Sequence, residues 1–352
     1  NKAIDFHQQE KRLEIQVGSI ILAPGYDTFK PQLQSEYGYK RFSNVVTSLE
    51  FERILSASGP YRGEVKRPSD RKSPKRIAWI QCIGSRDTTV GNTYCSAVCC
   101  MYAIKQVILA KDHNSELEAT IFHNDIRAFG KGFERYYERA KNTPGVRFIW
   151  SKVTLLRELP GTKNIVIRFR LNGTELKEEE FDLVVLSVGM TSPPTTRELA
   201  DKLSIELNPY GFCNSHVFSP TETSQAGIYV AGVFHAPKDI PDSVTMASGA
   251  ASLSAQLLSE SRGALVTAKE YPPERDVTGE PPRVGVFVCR CGTNIARGID
   301  VPRVVKYAQN LDNVVHAEEN IFSCSIDATN HICETIKEKG LNRVVVAACT
   351  PR

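Results

Sequence analysis

From residue 77 onward the chain alternates apolar runs of strand length with longer segments of helical character, and that alternation leaves few folds open. IAWIQCI (77–83), ATIFH (119–123), VRFIW (146–150), NIVIRFR (164–170) and FDLVVLSVG (181–189) read as strands. Segments 94–111 and 131–141 read as helices, and Asn172-Gly173 as a turn. Strands joined through helices close as right-handed crossovers, so a parallel sheet with helices on its faces is expected. Upstream, RLEIQVGSIILAP (12–24) alternates and then runs apolar into Gly25, which predicts a strand pair ending in a tight turn. Further along, a hairpin around Pro209-Tyr210-Gly211, a strand GIYVAG (227–232) and a helix of small residues over 243–258 are expected. Residues 284–352 predict a smaller βαβαβ unit: VGVFVC (284–289), a helix after Asp300 with Pro302 in its first turn, VVHAE (314–318), a helix 327–339 closed by Gly340, and RVVVAAC (343–349). Stretches rich in proline, glycine and charge, 56–76 and 268–283, read as linkers between folding units.

Composition narrows the function classes. The chain has 352 residues, 41% of them hydrophobic, which allows two or three domains with real cores. Its 44 Lys+Arg against 40 Asp+Glu give a formal charge of +4, and no basic run is interleaved with aromatics, so nucleic acid is not an expected partner. The longest apolar runs, SIILAPG (19–25) and RVVVAAC (343–349), fall well short of the ~20 residues that span a bilayer, so no membrane insertion is expected. The sequence opens at Asn1 without a charged-then-apolar leader and stops at Arg352 after a predicted strand; a segment of a longer, cytoplasmic polypeptide is expected. Ten cysteines are too few for a disulfide scaffold and too clustered for core packing alone, which points to metal or redox work.

Four of them, Cys82, Cys95, Cys99 and Cys100, fall at one predicted βα mouth, in QCIGSRDTTVGNTYCSAVCC. Cys82 ends the first strand, where a dinucleotide-binding domain carries its glycine-rich phosphate turn; C-I-G-S-R-D stands there, so the nicotinamide fingerprint is missing. The other three lie at the start of the next helix, whose N–H groups and dipole favour an anion such as a cysteine-ligated iron-sulfur cubane. The spacing also admits core thiols with a Cys99–Cys100 vicinal disulfide, or structural zinc. Directly adjacent cysteines on a helix nevertheless suit a cluster of several metal atoms better than one tetrahedral ion. Cys289, Cys291, Cys324 and Cys349 each follow a predicted strand of the smaller unit, so topology gathers them at one sheet edge, as a second metal site, a redox disulfide or buried thiols. Cys333, between Ile332 and Ile336, is expected in the core, and Cys213 stands alone.

Other features are weaker. A strand ending in Ala-Gly at Gly232 and feeding a Gly/Ala/Ser-rich helix lets backbone approach a flat cofactor, or simply packs a helix closely on a sheet. Lys105 is the one charge within MYAIKQVILA, either a buried ammonium beside a cofactor or a side chain reaching solvent. The seven histidines form no hydrolytic motif.

Three runs carry a family resemblance: I-A-W-I-Q-C-I-G-S-R-D with Y-C-S-A-V-C-C-M-Y-A-I-K-Q, G-I-Y-V-A-G-V-F-H-A-P-K-D-I-P-D-S-V, and V-F-V-C-R-C-G-T-N-I with V-V-V-A-A-C-T-P-R. Together they resemble the A-type iron-sulfur flavoprotein subunits of heterodisulfide reductase and their bacterial relatives. The resemblance implies an α/β, thioredoxin-reductase-like flavoprotein fold in part, with two dinucleotide-binding domains, followed by a small βαβαβ domain. Residues 1–55 and 201–262 would belong to the FAD-binding domain, 76–200 to a nicotinamide-domain-like unit carrying a [4Fe-4S] cluster, 263–283 to a linker, and 284–352 to the incomplete opening of a second, tandem unit. By motif, Cys82, Cys95, Cys99 and Cys100 would be the cluster ligands, Lys105 would lie near the flavin ring, and Gly25, Gly232, Val233, Asp242, Ser243 and Val244 would approach FAD. Val233 stands where flavin reductases usually have the aspartate that holds the ribityl chain. The adenine-binding G-x-G-x-x-G is not in this sequence, and the resemblance places it upstream of Asn1.

The expected function is thus that of an oxidoreductase component passing electrons between FAD and a [4Fe-4S] cluster, with flavin-based bifurcation as its mode. Its expected partners are heterodisulfide reductase subunits of the B and C types, a hydrogenase, or ferredoxin-type carriers. A non-catalytic, metal-stabilised assembly module is the alternative. An ordinary NAD-dependent disulfide reductase is disfavoured, because no redox pair faces a flavin position and no nicotinamide fingerprint exists.

Overall fold

The structure, a computed structural model, describes residues 5–171, 173–268, 271 and 273–349. It divides into two compact units, one formed by the chain up to Val266 without Ser56–Gly63, the other by Ser56–Gly63 with the chain from Thr267.

In the first unit the strands and helices are β1 (Ile20–Leu22), β2 (Asp27–Thr28), β3 (Val45–Thr47), α1 (Ser48–Leu55), β4 (Arg76–Ile83), α2 (Cys99–His113), β5 (Glu118–His123), α3 (Phe133–Lys141) and β6 (Val146–Trp150). After these come β7 (Leu155–Glu158), β8 (Ile165–Leu171), β9 (Glu175–Phe181), β10 (Leu183–Val188), β11 (Met190–Thr191), α4 (Thr195–Leu203), β12 (Ile228–Val230) and α5 (Ile240–Leu257). The main sheet is parallel, in the order β3-β10-β4-β5-β6. Its central strands are continuous apolar runs because both faces are covered: all six residues of β10 are buried. On one face Trp79 meets Phe51 of α1 edge-on and donates from Nε1 to Gln106 of α2 at 3.1 Å. On the other, Phe122 packs against Phe169 and Phe181 of the antiparallel meander β7-β8-β9. Strand order reverses between β4 and β10, which makes the carboxyl ends of these two strands the natural ligand crevice of such a sheet.

Several expectations are corrected here. The first linker does not separate folding units: β3, upstream of it, belongs to the same sheet as β4 and β10, and α1 packs on that sheet through Phe51. The linker itself is pinned by Arg67, which is buried and donates to Thr162 O at 2.6 Å. Residues 12–17 form no strand, and Leu13, Ile15 and Val17 are 80%, 71% and 59% exposed. Alternation alone makes no strand without a sheet edge to join, and β1 pairs only with β12 among the described residues. Helix α2 starts at Cys99 rather than near Tyr94, because residues 86–94 close a small hairpin instead. A strand unexpected from sequence, β9, follows Gly173; Asn172 of the predicted turn lies outside the described residues.

The second unit holds β13 (Val284–Cys289), α6 (Val301–Ala308), β14 (Val314–Asn320), α7 (Ile326–Lys339) and β15 (Arg343–Ala347), with a parallel sheet β14-β13-β15. Pro302 opens α6 and Gly340, in the left-handed conformation, closes α7 as expected. Cys333 departs from expectation: it is exposed, since Ile332 occupies the inward face of α7 and the next residue is turned about 100° away.

Candidate functional site

Strand β4 delivers Cys82 to the ligand crevice in a left-handed backbone conformation (φ 63°), followed by Gly84 (φ 70°). The chain then folds back. Arg86 N–H donates to Tyr94 O at 2.8 Å, Asp87 and Asn92 exchange backbone bonds, and Asn92 Nδ2 holds Gly84 O at 2.9 Å. That hairpin returns Cys95 towards Cys82. Ser96, fully buried, accepts from Met190 N–H at 2.9 Å and so locks the loop to the end of β10. The fit is close: a Cβ on Gly189 would lie 2.6 Å from Ser96 Oγ and 2.8 Å from Ser85 Cβ. Cys99 and Cys100 then open α2, with the Cys99 thiol 3.8 Å from Val188 O and the Cys100 thiol 3.8 Å from Asp125 O. Tyr102 donates to Val188 O at 2.9 Å and fixes the helix start against β10.

The four cysteines therefore lie around the strand-order reversal, each in the electrostatic reach of others. All ten cysteines of the chain are free thiols, so there is no Cys99–Cys100 disulfide. Burial, and after it the neighbouring Cys100, pushes the Cys82 thiol up to about 11. Burial also raises Cys99 and Cys100.

Three observations test the fit of a [4Fe-4S] group here. The donor set is four thiols, the ligation such clusters require. Val98, the N-cap of α2, makes no side-chain cap hydrogen bond, so no side chain occupies the positive end of the helix, where an anion is favoured. Beside Cys82 the Gln81 amide, Ser85 hydroxyl and His123 Nδ1 have no hydrogen-bond partner, but the cavity they line is only about 30 Å³, the size of a water, and the other three cysteines do not line it. Among the described residues no three His, Cys, Asp or Glu side chains gather closely enough to hold a metal ion.

The residues expected near FAD fall at the ends of β1 and β12, which lie side by side in parallel. Gly25 (φ 79°) and Gly232 (φ 67°) both have the left-handed conformation and open space where a Cβ would stand. Val233 is half-buried in the turn after β12; Asp242 and Val244 are exposed in the first turn of α5, and Ser243 is held by Asp239 O at 2.7 Å. At Gly25 and Gly232 the backbone is therefore open to close approach. Lys105 reaches the surface of α2 and pairs there with Glu52 of α1. A half-buried cation near these stretches is Lys238. Lys238 Nζ lies 2.9 Å from His235 Nδ1 and 3.0 Å from Met246 Sδ. Burial, and then Lys238, lowers His235 to about 4 from 6.5. A folded-state value below the unfolded one gives stability that is present above pH ~6.5 and lost as pH falls through ~4. We expect about 1 kcal/mol of acid-labile stability, allowing for solvent screening, and a flatter urea-stability profile between pH 7 and 4 in His235→Gln.

In the second unit Cys289 ends β13, Cys291 follows it, Cys324 lies in the turn after β14, and Cys349 follows β15. All four stand at the carboxyl edge of the sheet. Burial opposes ionisation of Cys289, but hydrogen bonds from Ser323 and Cys291 outweigh it and lower the thiol. Burial, and after it the neighbouring Cys289, raises the Cys291 thiol. Cys213, alone as expected, is buried in the core beneath α5 with Val230, Phe234 and Met246, and burial raises it to about 11.

Sequence reasoning missed Arg86, Asp125 and Arg127, which meet beside the first cysteine set. Their signal was the pair of charges in HNDIRAF, directly after an apolar strand.

Residues 1–251 match the pyridine nucleotide-disulphide oxidoreductase family. The chain belongs to this oxidoreductase family. Among curated relatives, the second of the A-type iron-sulfur subunits of CoB–CoM heterodisulfide reductase in Methanopyrus kandleri is 48% identical over 260 residues, which is 73% of this chain and 40% of the relative. The corresponding A-type iron-sulfur subunit of Methanocaldococcus jannaschii is 46% identical over 254 residues, 71% of this chain and 38% of the relative. The A-type subunit of an H2/formate:CoB-CoM heterodisulfide,ferredoxin reductase from Methanococcus maripaludis is 47% identical over 255 residues, 71% of this chain and 39% of the relative. This member of the oxidoreductase family thus spans about 40% of the length of the curated relatives it matches. A solved structure, thioredoxin reductase of T. acidophilum, is similar at 18% identity and a TM-score of 0.41, covering 69% of this chain and 66% of the other. Among the described residues of this oxidoreductase no helix is long and apolar enough to cross a membrane.

Proposed function

We propose that the chain is the flavin- and iron-sulfur-bearing part of a redox complex, akin to the A-type subunit of heterodisulfide reductase. In this reading Cys82, Cys95, Cys99 and Cys100 hold a [4Fe-4S] cluster, and FAD lies against Gly25, Gly232, Val233 and Asp242–Val244. The observation that carries it is the placing of four free thiols and a helix start without a side-chain cap around the strand-order reversal, where open α/β sheets bind ligands. Bound there, FAD exchanges electron pairs or single electrons and a cubane exchanges one at a time, so the two together form a relay.

The chain's own part is to hold and to shield. The left-handed turn at Cys82 aims one ligand, the 86–94 hairpin returns a second, and the first turn of α2 supplies two more. Ser96 and Tyr102 fix that assembly to β10. The open backbone at Gly25 and Gly232 allows close approach to a ring system, and the 3-10 turn at Val233 offers backbone N–H groups in place of an aspartate. Bifurcation is the mode we propose, supported by the M. maripaludis relative, whose name joins a heterodisulfide and a ferredoxin. The proposed partners are B- and C-type heterodisulfide reductase subunits, a hydrogenase or ferredoxin-type carriers, and the proposed location is the cytoplasm. Cys289, Cys291, Cys324 and Cys349 are proposed as a second metal site at their sheet edge.

Iron and acid-labile sulfide per chain, measured after anaerobic purification and reconstitution, test the reading. About four of each support one cluster, and about eight add the second. Zinc without sulfide would defeat the relay and favour the assembly module.

A further inference from the structure

Asp125, in the loop after β5, is held between two guanidinium groups. Arg86, from the turn that follows Cys82, pairs with Oδ1, and Arg127 Nε lies 3.2 Å from Oδ2. The three side chains are 26–45% exposed, so as ordinary surface ion pairs they would add little to the fold. Their position is what sets them apart. Arg127 follows Asp125 by two residues and brings its charge to bear on Cys95 and Cys100. Asp125 O lies 3.8 Å from the Cys100 thiol. Arg86 brings its charge to bear on Cys82. Two cations and one carboxylate leave a net charge of one positive unit against three of the four thiols.

We propose that Arg86, Asp125 and Arg127 form a charge clamp that sets the reduction potential of the group held by Cys82, Cys95, Cys99 and Cys100, with Arg127 as its principal member. The inference rests on the [4Fe-4S] reading above and goes beyond it, because none of the three residues is a ligand. A cubane on four thiolates is an anion in every state, and each electron added makes it more negative. A fixed positive charge therefore stabilises the reduced state more than the oxidised one. Asp125 does two opposing things: it holds both guanidinium groups in place and cancels one of their charges. The three are positioning residues, acting on the potential through the sulfurs.

The test is an EPR-monitored redox titration of the full-length protein, purified anaerobically, after iron and sulfide have been counted. In Arg127→Gln the metal content is expected to stay at the wild-type level while the equilibrium constant for one-electron reduction falls about tenfold, equivalent to a potential about 59 mV more negative. Arg127→Lys keeps the charge and should recover most of that shift. Arg86→Gln should move the potential in the same direction. Asp125→Asn removes a negative charge and should move it the other way, a reversal that mere loosening of the loop would not produce. Unchanged potentials in Arg127→Gln and Asp125→Asn with intact clusters, or shifts of one sign in both, overturn the clamp. Should Arg127→Gln lose its iron, Arg127→Lys and Asp125→Asn decide the matter by the same criteria. Wild-type protein without iron and sulfide would instead defeat the cluster reading, and the clamp with it.

Discussion

Replacing Cys99 by serine is expected to strip most of the iron and acid-labile sulfide from the protein while leaving its fold intact. Cys99 is 5% exposed at the first position of α2, and its thiol faces Val188 O at 3.8 Å. A serine hydroxyl fills nearly the same space and can donate to that carbonyl, so far-ultraviolet circular dichroism should be unchanged. It is a far poorer ligand for iron than a thiolate, and one lost ligand of four leaves a cubane labile. Cys333→Ser, on the exposed side of α7, is the control, expected to leave metal content at the wild-type level. Retention of iron and sulfide in Cys99→Ser would remove Cys99 from the ligand set.

The second large effect is expected at Gly84. Its φ of 70° already disfavours a side chain, and a Cβ there would stand 1.9 Å from Phe29 Cγ. Phe29 is itself a core residue, packed among the cluster that includes Ile80, Phe122 and Val188, so its ring has no free space to enter. Gly84→Ala should cost about 3 kcal/mol, the sum of backbone strain and overpacking. Gly91→Ala gives the matched comparison: its φ is 76°, but nothing lies within 4 Å of the added carbon. That variant should lose only about 1 kcal/mol. Urea titration of the pair separates crowding from conformation, and equal losses would mean that Phe29 yields.

The parallel sheet is legible because its strands are buried on both faces and therefore continuously apolar, as in IAWI and LVVLSV. The placing of Cys82, Cys95, Cys99 and Cys100 around the strand-order reversal follows from the same topology. Strand β9 is not legible: ELKEEEF carries charges on both faces, Glu178 paired with Arg157 and Arg168 and Glu179 with Arg76 and Arg147, and only Phe181 is buried. Strand β3 is three residues long, too short for any periodicity to register. Sequence pattern places the start of α2 too early because the hairpin at 86–94 depends on backbone bonds between residues with no shared pattern. Lys105, the one charge in an apolar run, finds Glu52 fifty-three positions away, a pairing that no local window contains. Asp125 and Arg127 escape for the same reason, since their importance comes from Arg86 and Cys95 on other segments.

The lock between the cysteine loop and β10 also bears on the order of events during synthesis. All four candidate ligands lie within residues 82–100, yet the contacts that seat them come from Val188, Gly189 and Met190, some ninety positions later. A ribosome must therefore add the whole meander and β10 before Ser96 and Tyr102 have anything to dock against. On the proposed function, loading of metal would follow completion of the sheet, unlike in a zinc finger, where metal capture drives folding. A nascent chain truncated before β10 would emerge with its thiols unseated and open to oxidation.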